Sequence, residues 1–211
     1  HVCRPGKVKS GWIGQNCPGV EVRISSEGEV LVRSEATMQG YFKEPGKTAE
    51  TLTLDGSLRT GDKGEQDEEG NLRLTGRIKE IFKTSKGKFV APAPIENRMA
   101  VDTRLEQICV VGEGMVQPLA ICVLSEAGRS AANGEGRIEL ESALRSLLAQ
   151  INGELDKHEQ LRGIVLVKDV WAVENGYLTP TLKIKRAVIE SSYGKHFDDW
   201  LQRCDAVLWQ E

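Results

Sequence analysis

The sequence predicts an α+β protein in two parts, and three observations lead to this prediction. Residues 20–77 contain short alternating apolar runs, separated by Gly-containing turns and interrupted by one short helical pattern. From residue 78 onward, apolar strands alternate with amphipathic helices. The 211 residues are 39% apolar and 28% charged, which is typical of globular domains. We therefore expect residues 78–211 to form a small mixed sheet flanked by helices, a size that can fold alone.

The first part, residues 1–77, is predicted to be β-rich with little helix to cover it. Residues 1–19 are rich in Gly and Pro and predict an irregular lead-in. The expected elements that follow are strands at 20–24, 29–33, 58–60 and 72–75, with a short helix at 45–52. A segment of this size buries little surface, so we expect it to be a piece of something larger.

The second part alternates its elements in a regular way. A hairpin is expected where residues 80–84 and 89–90 frame the loop 85–88. The further expected elements are helices at 94–100, 137–160 and 183–201, and strands at 107–112, 118–124 and 163–167. Residues 208–209 are expected in a tail.

The distribution of charge and the spacing of the cysteines disfavour a nucleic-acid-binding protein and a disulfide-bonded protein. The net charge is −3, yet residues 78–98 form a basic island, which suits a compact polyanion such as a nucleotide better than a nucleic acid. Five cysteines without a CxxC pair favour buried thiols in a reducing compartment. Neither a signal peptide nor an apolar run of about 20 residues is present, so a cytoplasmic location without a transmembrane segment is expected, with peripheral membrane attachment left open.

The stretch from Asp55 to Glu96 resembles the ribose-binding and hinge motifs of the adenylate-forming (ANL) superfamily. Within it, GRIKEIFKTSKGKFVAPAPIE is similar to the hinge and following loop of bacterial long-chain fatty-acid–CoA ligases, and GWIGQNCPGVEVRI resembles a segment that closes their large N-terminal domain. The resemblance implies that residues 1–77 are the end of a truncated N-terminal adenylation domain. Residues 78–211 would then be the mobile C-terminal domain, with a hinge near residues 77–79.

Asp62, Arg77 and Lys79 are the candidates at this junction. An acid after a Gly at a strand end can accept hydrogen bonds from a vicinal diol, although an Asp in a Thr-Gly-Asp turn is more often a turn former. The resemblance implies that Asp62 binds ribose, that Arg77 contacts ribose or phosphate, and that Lys79 is the pivot of the hinge. A solvated charged pair at a domain junction is the alternative for Arg77 and Lys79.

Lys83 and the loop Ser85–Lys88 follow the hinge. The resemblance implies a phosphate contact for Lys83, and an exposed strand lysine is equally compatible. It also implies that Lys86, Gly87 and Lys88 line the CoA tunnel, since Gly permits close backbone approach. Many relatives carry a second Gly and an acid where Lys86 and Lys88 stand, which leaves their side-chain roles open. Without the resemblance, the loop predicts an ordinary hairpin turn.

The segment Gly176–Arg186 resembles the family's final motif, which carries the catalytic lysine for adenylation. Alignment on its Leu-Thr-Pro and Lys-Ile elements gives this role to Lys183, with Lys185 as the rival. An ammonium that bridges an attacking carboxylate and the α-phosphate would stabilise the developing charge. The structural alternative, basic residues in the first turn of a helix, is disfavoured by the helix dipole.

The resemblance implies an ATP-dependent long-chain fatty-acid–CoA ligase, an acid–thiol ligase that forms acyl-adenylate and then acyl-CoA. Its small-molecule ligands would be a fatty acid, ATP and CoA, with Mg²⁺ ligands expected outside this chain. We expect the 211 residues to be inactive alone and to need the N-terminal domain of the same protein. The alternative is a free-standing, non-catalytic module that binds CoA or an acyl carrier through its basic island.

Overall fold

The computed structural model describes residues 1–3, 5–134, 136–203 and 205–210. The chain divides into two compact units, His1–Ile81 (unit 1) and Phe82–Glu211 (unit 2). The predicted boundary between residues 77 and 78 falls a few residues before this division. In chain order the strands and helices are β1 Glu21–Ile24, β2 Glu29–Arg33, α1 Pro45–Thr51, β3 Leu58–Gln66, β4 Leu72–Arg77, β5 Phe82–Lys83, β6 Phe89–Val90, α2 Pro92–Met99, β7 Leu105–Val111, β8 Leu119–Leu124, α3 Glu126–Ala131, α4 Gly136–Glu154, β9 Ile164–Leu166, α5 Arg186–Tyr193, α6 Phe197–Gln202 and β10 Val207–Trp209.

Unit 1 is built on an antiparallel sheet with the strand order β1-β2-β3-β4. The hairpin predicted from the alternation in residues 20–33 is present. β3 is longer than predicted and runs to Gln66, so Asp62 lies inside a strand and not at its end. Gly64 allows this, because a Cβ there would lie 2.7 Å from Val30 Cγ2 and 2.9 Å from the carbonyl oxygen of Arg73. A bulge between Lys63 and Gly64 accommodates the close approach.

The interior of unit 1 is small. Among its described residues, Val30 and Leu72 are the buried apolar side chains. Polar contacts supplement them: the buried carboxylate of Glu29 accepts a hydrogen bond from the backbone N–H of Gly61 at 3.0 Å and pairs with Arg59 at 3.2 Å. Unit 1 therefore relies on its strand ladder and on side-chain hydrogen bonds more than on a packed core.

Unit 2 contains a mixed sheet with the strand order β10-β9-β8-β7, which confirms the predicted fold class. β7 and β8 are antiparallel, whereas β8, β9 and β10 are parallel. The prediction of a tail at residues 208–209 was wrong, since Val207–Trp209 form β10 and pair with β9. A three-residue strand that pairs far along the chain leaves no local signal.

Successive residues of this sheet point to opposite faces, and each face has its own apolar cluster. Face A is defined by residues that pack with α2 and α4, and its strand members are Leu105, Ile108, Val110, Ala120, Cys122, Leu124, Ile164, Leu166 and Val207. Face B is defined by residues that pack with α5 and α6, and its strand members are Cys109, Val111, Leu119, Ile121, Val123, Val165 and Leu208. Helices thus cover both faces of the sheet.

Two predicted helices of unit 2 have different bounds in the structure. α4 ends at Glu154 and not at residue 160, because the side chains of Asn152 and Gln160 bond the backbone around the helix end: Asn152 Nδ2 donates to Leu161 O at 2.9 Å, and Gln160 Nε2 donates to Asn152 O at 3.0 Å. The helix predicted from residue 183 begins only at Arg186 and is divided into α5 and α6 by a short 3₁₀ turn.

Helix α3 was not predicted. Ser125 caps its first turn by accepting a hydrogen bond from Gly128 N. A Cβ at Gly128 would lie 2.3 Å from Arg104 O, so the helix packs too closely for a larger residue at that position.

Within the described residues, the burial of the two strand cysteines agrees with the prediction from the sequence. Cys109 and Cys122 are buried thiols, as predicted for strand positions, and Cys3 and Cys17 are not in a disulfide among the described residues, whereas Cys204 lies outside them. None of the helices in the described ranges combines the length and apolar character needed to cross a bilayer.

Candidate active site

Asp62 and Arg77 face each other across β3 and β4. They are direct partners in the strand register, and Arg77 Nη1 lies 3.0 Å from Asp62 Oδ1. The Asp62 side chain is 26% exposed and that of Arg77 is 52% exposed. An exposed pair of this kind contributes little to stability. The strand register and Arg77 fix the position of the Asp62 carboxylate, and its exposed part is accessible to a ligand.

Lys79 lies in a 3₁₀ turn, Ile78–Glu80, directly after β4. The turn is closed by a hydrogen bond from Ile81 N to Arg77 O at 3.2 Å, and the lysine is exposed. Short 3₁₀ turns are frequent connectors and hinges. The place of Lys79 near the end of unit 1 is compatible with the predicted pivot, which stays a prediction.

The loop Ser85–Lys88 joins β5 to β6 as a hairpin turn, as predicted. Gly87 has φ +76°, the left-handed conformation that favours glycine, and its N–H donates to Thr84 O at 2.9 Å. Ser85 N donates to Met115 O, also at 2.9 Å. Phe82 and Val90, which flank the loop, are buried in the cluster of face A. The hairpin therefore presents Lys86 and Lys88 to solvent from a fixed base.

Phe89 is a residue that the sequence reasoning missed at this loop. It is 65% exposed, and Lys83 Nζ lies 5.7 Å from the centre of its ring. A cation above an exposed ring is weakly attracted to it. The signal in the sequence is the position of Phe89 directly after Lys88, because an aromatic residue beside a charged loop is unusual.

Lys183 lies in a tight turn and not in a helix. Leu178 and Ile184 form a β-bridge, and Lys183 N donates to Thr179 Oγ1 at 3.0 Å. Leu182 has φ +60°, a conformation that is unfavourable for a branched side chain. Because Lys183 precedes the helix, the argument that the helix dipole disfavours a basic residue does not apply to it.

The turn places Lys183 and Lys185 in solvent while Leu178 and Ile184 pack inward against face B. Lys185 N donates to Tyr177 O at 2.8 Å, which fixes the backbone of Lys185 beside the segment that enters the turn. Both candidate lysines are thus presented alike, and the structure brings Lys183 and its rival Lys185 to the same exposed segment.

Arg186 has a structural role, although its sequence position is within the same basic cluster. Its side chain is 15% exposed. Nη2 pairs with Glu96 Oε1 at 2.8 Å, and Nη1 donates to Val110 O at 2.6 Å. Arg186 therefore links the start of α5 to α2 and β7. The residues next to Arg186 in the sequence do not predict these contacts.

A buried aromatic group supports the Lys183 turn from below. Tyr177 stacks on Tyr193 with ring centres 6.2 Å apart, and Trp171 Nε1 donates to Tyr193 Oη at 3.2 Å. Tyr193 Oη in turn donates to Asp169 Oδ2 at 2.8 Å. Burial is the largest cause that raises the pKa of Tyr193 above its ordinary value, and its bond to Asp169 adds to this. Tyr193 is therefore a neutral hydrogen-bonding group at physiological pH.

The two candidate segments of unit 2 are anchored to opposite faces of one sheet. The hairpin that carries Lys86, Gly87 and Lys88 is rooted in face A through Phe82 and Val90. The turn that carries Lys183 is rooted in face B through Leu178 and Ile184. Across the described residues, no group of three or more His, Cys, Asp or Glu side chains is arranged to hold a metal ion.

Comparisons with known proteins place the chain in a family. The family model "AMP-binding enzyme C-terminal domain" matches residues 79–204. Long-chain-fatty-acid–CoA ligase 1 of Cavia porcellus is 35% identical, with 92% of this chain and 32% of the relative covered. A long-chain-fatty-acid–CoA ligase of Mycobacterium tuberculosis is 31% identical, with 90% of this chain and 34% of the relative covered. The chain spans about a third of the length of these curated relatives.

A solved structure agrees with the sequence matches. The A domain of a carboxylic acid reductase from Segniliparus rugosus, in complex with AMP and a co-purified carboxylic acid, has a TM-score of 0.71 and 25% identity over 89% of this chain and 32% of that chain. The family model spans more than half of the chain, and its match begins at Lys79, the predicted pivot residue. The hairpin, strands β7 to β9 and the Lys183 turn lie within that match, whereas β10 follows it, and the chain belongs to the AMP-binding enzyme C-terminal domain family of the adenylate-forming (ANL) superfamily.

Proposed function

We propose that this chain is part of an ATP-dependent long-chain fatty-acid–CoA ligase that makes acyl-adenylate and then acyl-CoA. One observation carries the proposal: a single compact unit anchors two exposed basic segments in the apolar clusters of opposite faces of its sheet. Such a unit can serve two reaction steps in turn by changing its orientation. The long-chain ligases among its relatives support the choice of substrate.

In the first step, a carboxylate oxygen of the fatty acid attacks the α-phosphorus of ATP. The bond between the α-phosphorus and the bridging oxygen breaks, and pyrophosphate leaves. Lys183 stabilises this step by placing its ammonium between two anions, the carboxylate and the α-phosphate. Asp62 accepts hydrogen bonds from the ribose hydroxyls, a role that fits its accessible carboxylate. Arg77 holds that carboxylate and reaches the ribose or phosphate.

In the second step, the sulfur of the CoA thiol bonds to the acyl carbon and its proton is lost to solvent, while AMP leaves with the electron pair of the broken acyl–oxygen bond. The loop Lys86-Gly87-Lys88 lines the path of CoA, where the lack of a side chain at Gly87 allows close approach. Lys83, on the same hairpin, contacts phosphate. Lys79 is the pivot about which unit 2 changes orientation.

Mg²⁺, with ligands expected outside this chain, would neutralise phosphate charge in the first step when bound. The described residues supply no cluster of metal ligands, and the roles proposed above are those of this chain's own side chains. We also propose that adenylation needs residues beyond these 211, because the curated relatives are about three times as long. The purified 211-residue chain is then expected to give no ATP–pyrophosphate exchange, and detectable exchange would contradict this part of the proposal.

The division of labour can be tested in the complete ligase that the proposal requires. We expect Lys183→Ala to lower ATP–pyrophosphate exchange by about 100-fold or more, the cost of removing one charge-stabilising group. Thioester formation from supplied acyl-adenylate should stay within about threefold, because that step does not use Lys183.

Lys185→Ala is the matched control, since Lys185 is exposed on the same segment. If Lys185→Ala abolishes exchange and Lys183→Ala does not, the rival assignment is correct. Equal loss of both half-reactions in Lys183→Ala would refute the separation of roles.

A further inference from the structure

Unit 2 contains a cavity that none of the predicted site residues lines. Its volume is about 640 Å³, within the range of small-molecule sites. The ends of β8, β9 and β10 and the connection between α3 and α4 form its walls. These strands run parallel, so their carboxyl ends meet at one edge of the sheet. Ligands of α/β proteins commonly bind at such an edge.

The rim of the cavity is positively charged. Arg129, Arg137 and Lys168 line it, and its described lining residues include no Asp or Glu. Arg129 Nη1 donates to Leu124 O at 2.6 Å, which holds this arginine at the end of β8. Lys168 is exposed and follows β9 almost directly. Arg129 also pairs with Glu106 at 3.7 Å and Arg137 with Glu141 at 3.2 Å, so these two acids hold two of the three cations that an organic anion would meet at the opening.

Arg137 is oriented before any ligand arrives. Its guanidinium carbon lies 4.4 Å from the centre of the Trp209 ring, and its Nε donates to Glu141 Oε1 at 3.2 Å. Trp209 Nε1 donates to the same oxygen at 2.7 Å. No hydrogen bond from Nη1 or Nη2 of Arg137 is found within the described part of the chain, so both can form the fork that binds a phosphate.

The floor of the cavity is apolar. Val123, Leu124 and Leu166 line it and are 2%, 6% and 1% exposed. Inorganic phosphate would leave this floor uncovered, and a fatty acid would bring a single charge to three cations. A ligand with a flat, weakly polar body and more than one negative charge satisfies both halves of the cavity.

We infer that this cavity binds a nucleoside phosphate, with its phosphates on Arg129, Arg137 and Lys168 and its base between the apolar floor and Trp209. The chain then carries a nucleotide site that shares no residue with Asp62, Arg77, Lys183 or the loop Ser85–Lys88. The inference goes beyond the proposed function and does not require it.

Isothermal titration of the 211-residue chain with ADP, in the presence of EDTA, tests the inference. We expect ADP to bind more tightly than adenosine, inorganic pyrophosphate or palmitate. Lys168→Glu and Arg137→Gln should each weaken ADP binding by about tenfold or more, because each removes a charge-assisted contact. Lys157→Glu makes the same charge change at an exposed lysine outside the cavity and should leave binding unchanged. Circular dichroism and thermal unfolding establish that each variant is folded.

Further variants separate this site from the proposed active site. ADP binding that persists in Asp62→Ala and Lys183→Ala but weakens in Lys168→Glu supports the inference. Binding that is lost in Asp62→Ala or Lys183→Ala and unaffected by Lys168→Glu overturns it and leaves the proposed function standing. Pyrophosphate or palmitate binding as tight as ADP binding also overturns it. If Lys183→Ala leaves ATP–pyrophosphate exchange unchanged in the complete ligase, the proposed function is contradicted, but the conclusion about ADP binding to this cavity is not affected.

Discussion

Units 1 and 2 hold their candidate functional side chains by different physical means. In unit 1, Val30 and Leu72 are the buried apolar side chains of the described residues, and Asp62 takes its position from the backbone register of β3 and β4. In unit 2, Lys183 and the loop Ser85–Lys88 sit on segments whose neighbouring apolar residues are buried on the two faces of a sheet. Unit 1 positions its candidate side chain through the strand ladder, whereas unit 2 positions its candidate segments through side-chain packing. Unit 2 should therefore be sensitive to changes in its interior, and unit 1 to changes in its polar contacts.

The largest expected effect is a cavity in the interior of unit 2. Leu144 is 0% exposed on α4, and Leu144→Ala should lower the free energy of unfolding of unit 2 by about 3–4 kcal/mol. Urea denaturation followed by tryptophan fluorescence measures this, since Trp171 and Trp200 are buried in unit 2 and Trp12 reports on unit 1, where its ring centre lies 5.3 Å from the guanidinium carbon of Arg73. Leu74→Ala in unit 1 is the control: its side chain is 45% exposed, and a change within about 0.5 kcal/mol is expected. Similar losses in both variants would remove the contrast between the units.

The next effect concerns the ion pair between Glu96 and Arg186. Glu96→Ala should destabilise unit 2 by about 2–3 kcal/mol, because it leaves the largely buried guanidinium and the backbone N–H of Val110 without the acceptor Glu96 Oε1. Glu154→Ala removes the partner of Arg98, an exposed pair at 3.9 Å, and should cost less than about 0.5 kcal/mol. Equal urea midpoints for the two variants would show that Arg186 is not an anchor.

A smaller effect is expected at Leu182, where the left-handed backbone is unfavourable for a leucine. The side chain is 72% exposed, so its removal loses little packing. Leu182→Gly should be more stable than Leu182→Ala by about 1 kcal/mol, since only glycine adopts φ +60° without strain. The difference in thermal midpoint between the two variants measures this, and a more stable alanine variant would contradict the conformation of the turn.

The smallest effect is expected in unit 1, in the turn that contains Asp67. The side-chain amide of Asn71, followed by the ammonium of Lys9, lowers the pKa of Asp67 to about 2. Because this is below the ordinary value of 3.8, the contribution to stability is present above pH 4 and is lost as the pH falls towards 2. The NMR shift of the Asn71 side-chain amide should therefore titrate near pH 2. Asp67→Asn should abolish the titration, whereas Glu68→Gln, in the same turn, should leave it intact.

Local patterns in the sequence predicted much of the fold. The alternation in residues 20–33 and the Gly-containing loop at residues 85–88 identified both hairpins, because the residues that form each hairpin are neighbours in the chain. β10 was missed because its sheet partner, β9, lies about 40 residues earlier. α4 ends earlier than its apolar pattern predicts, since Asn152 and Gln160 bond the backbone around its end.

Candidate residues could be named from the sequence where they lie in one recognisable segment, but their contacts could not. Asp62 and Arg77 were named from the sequence, yet their mutual pairing at 3.0 Å depends on the strand register. The structural role of Arg186 could not be distinguished from the roles proposed for Lys183 and Lys185 by sequence alone, because its partner Glu96 is distant in the chain. The cavity beside Trp209 was also invisible to the sequence, since its three cations come from different elements.

The alternation along β8 gives the two proposed reaction steps separate supports. Ile121 contributes to the cluster beneath the Lys183 turn, and its neighbour Cys122 contributes to the cluster beneath the Gly87 hairpin. We expect a change of side-chain volume at Ile121 to disturb the packing beneath the Lys183 turn, and one at Cys122 to disturb the packing beneath the Gly87 hairpin. Two neighbouring positions of one strand would then act first on different steps of the proposed reaction.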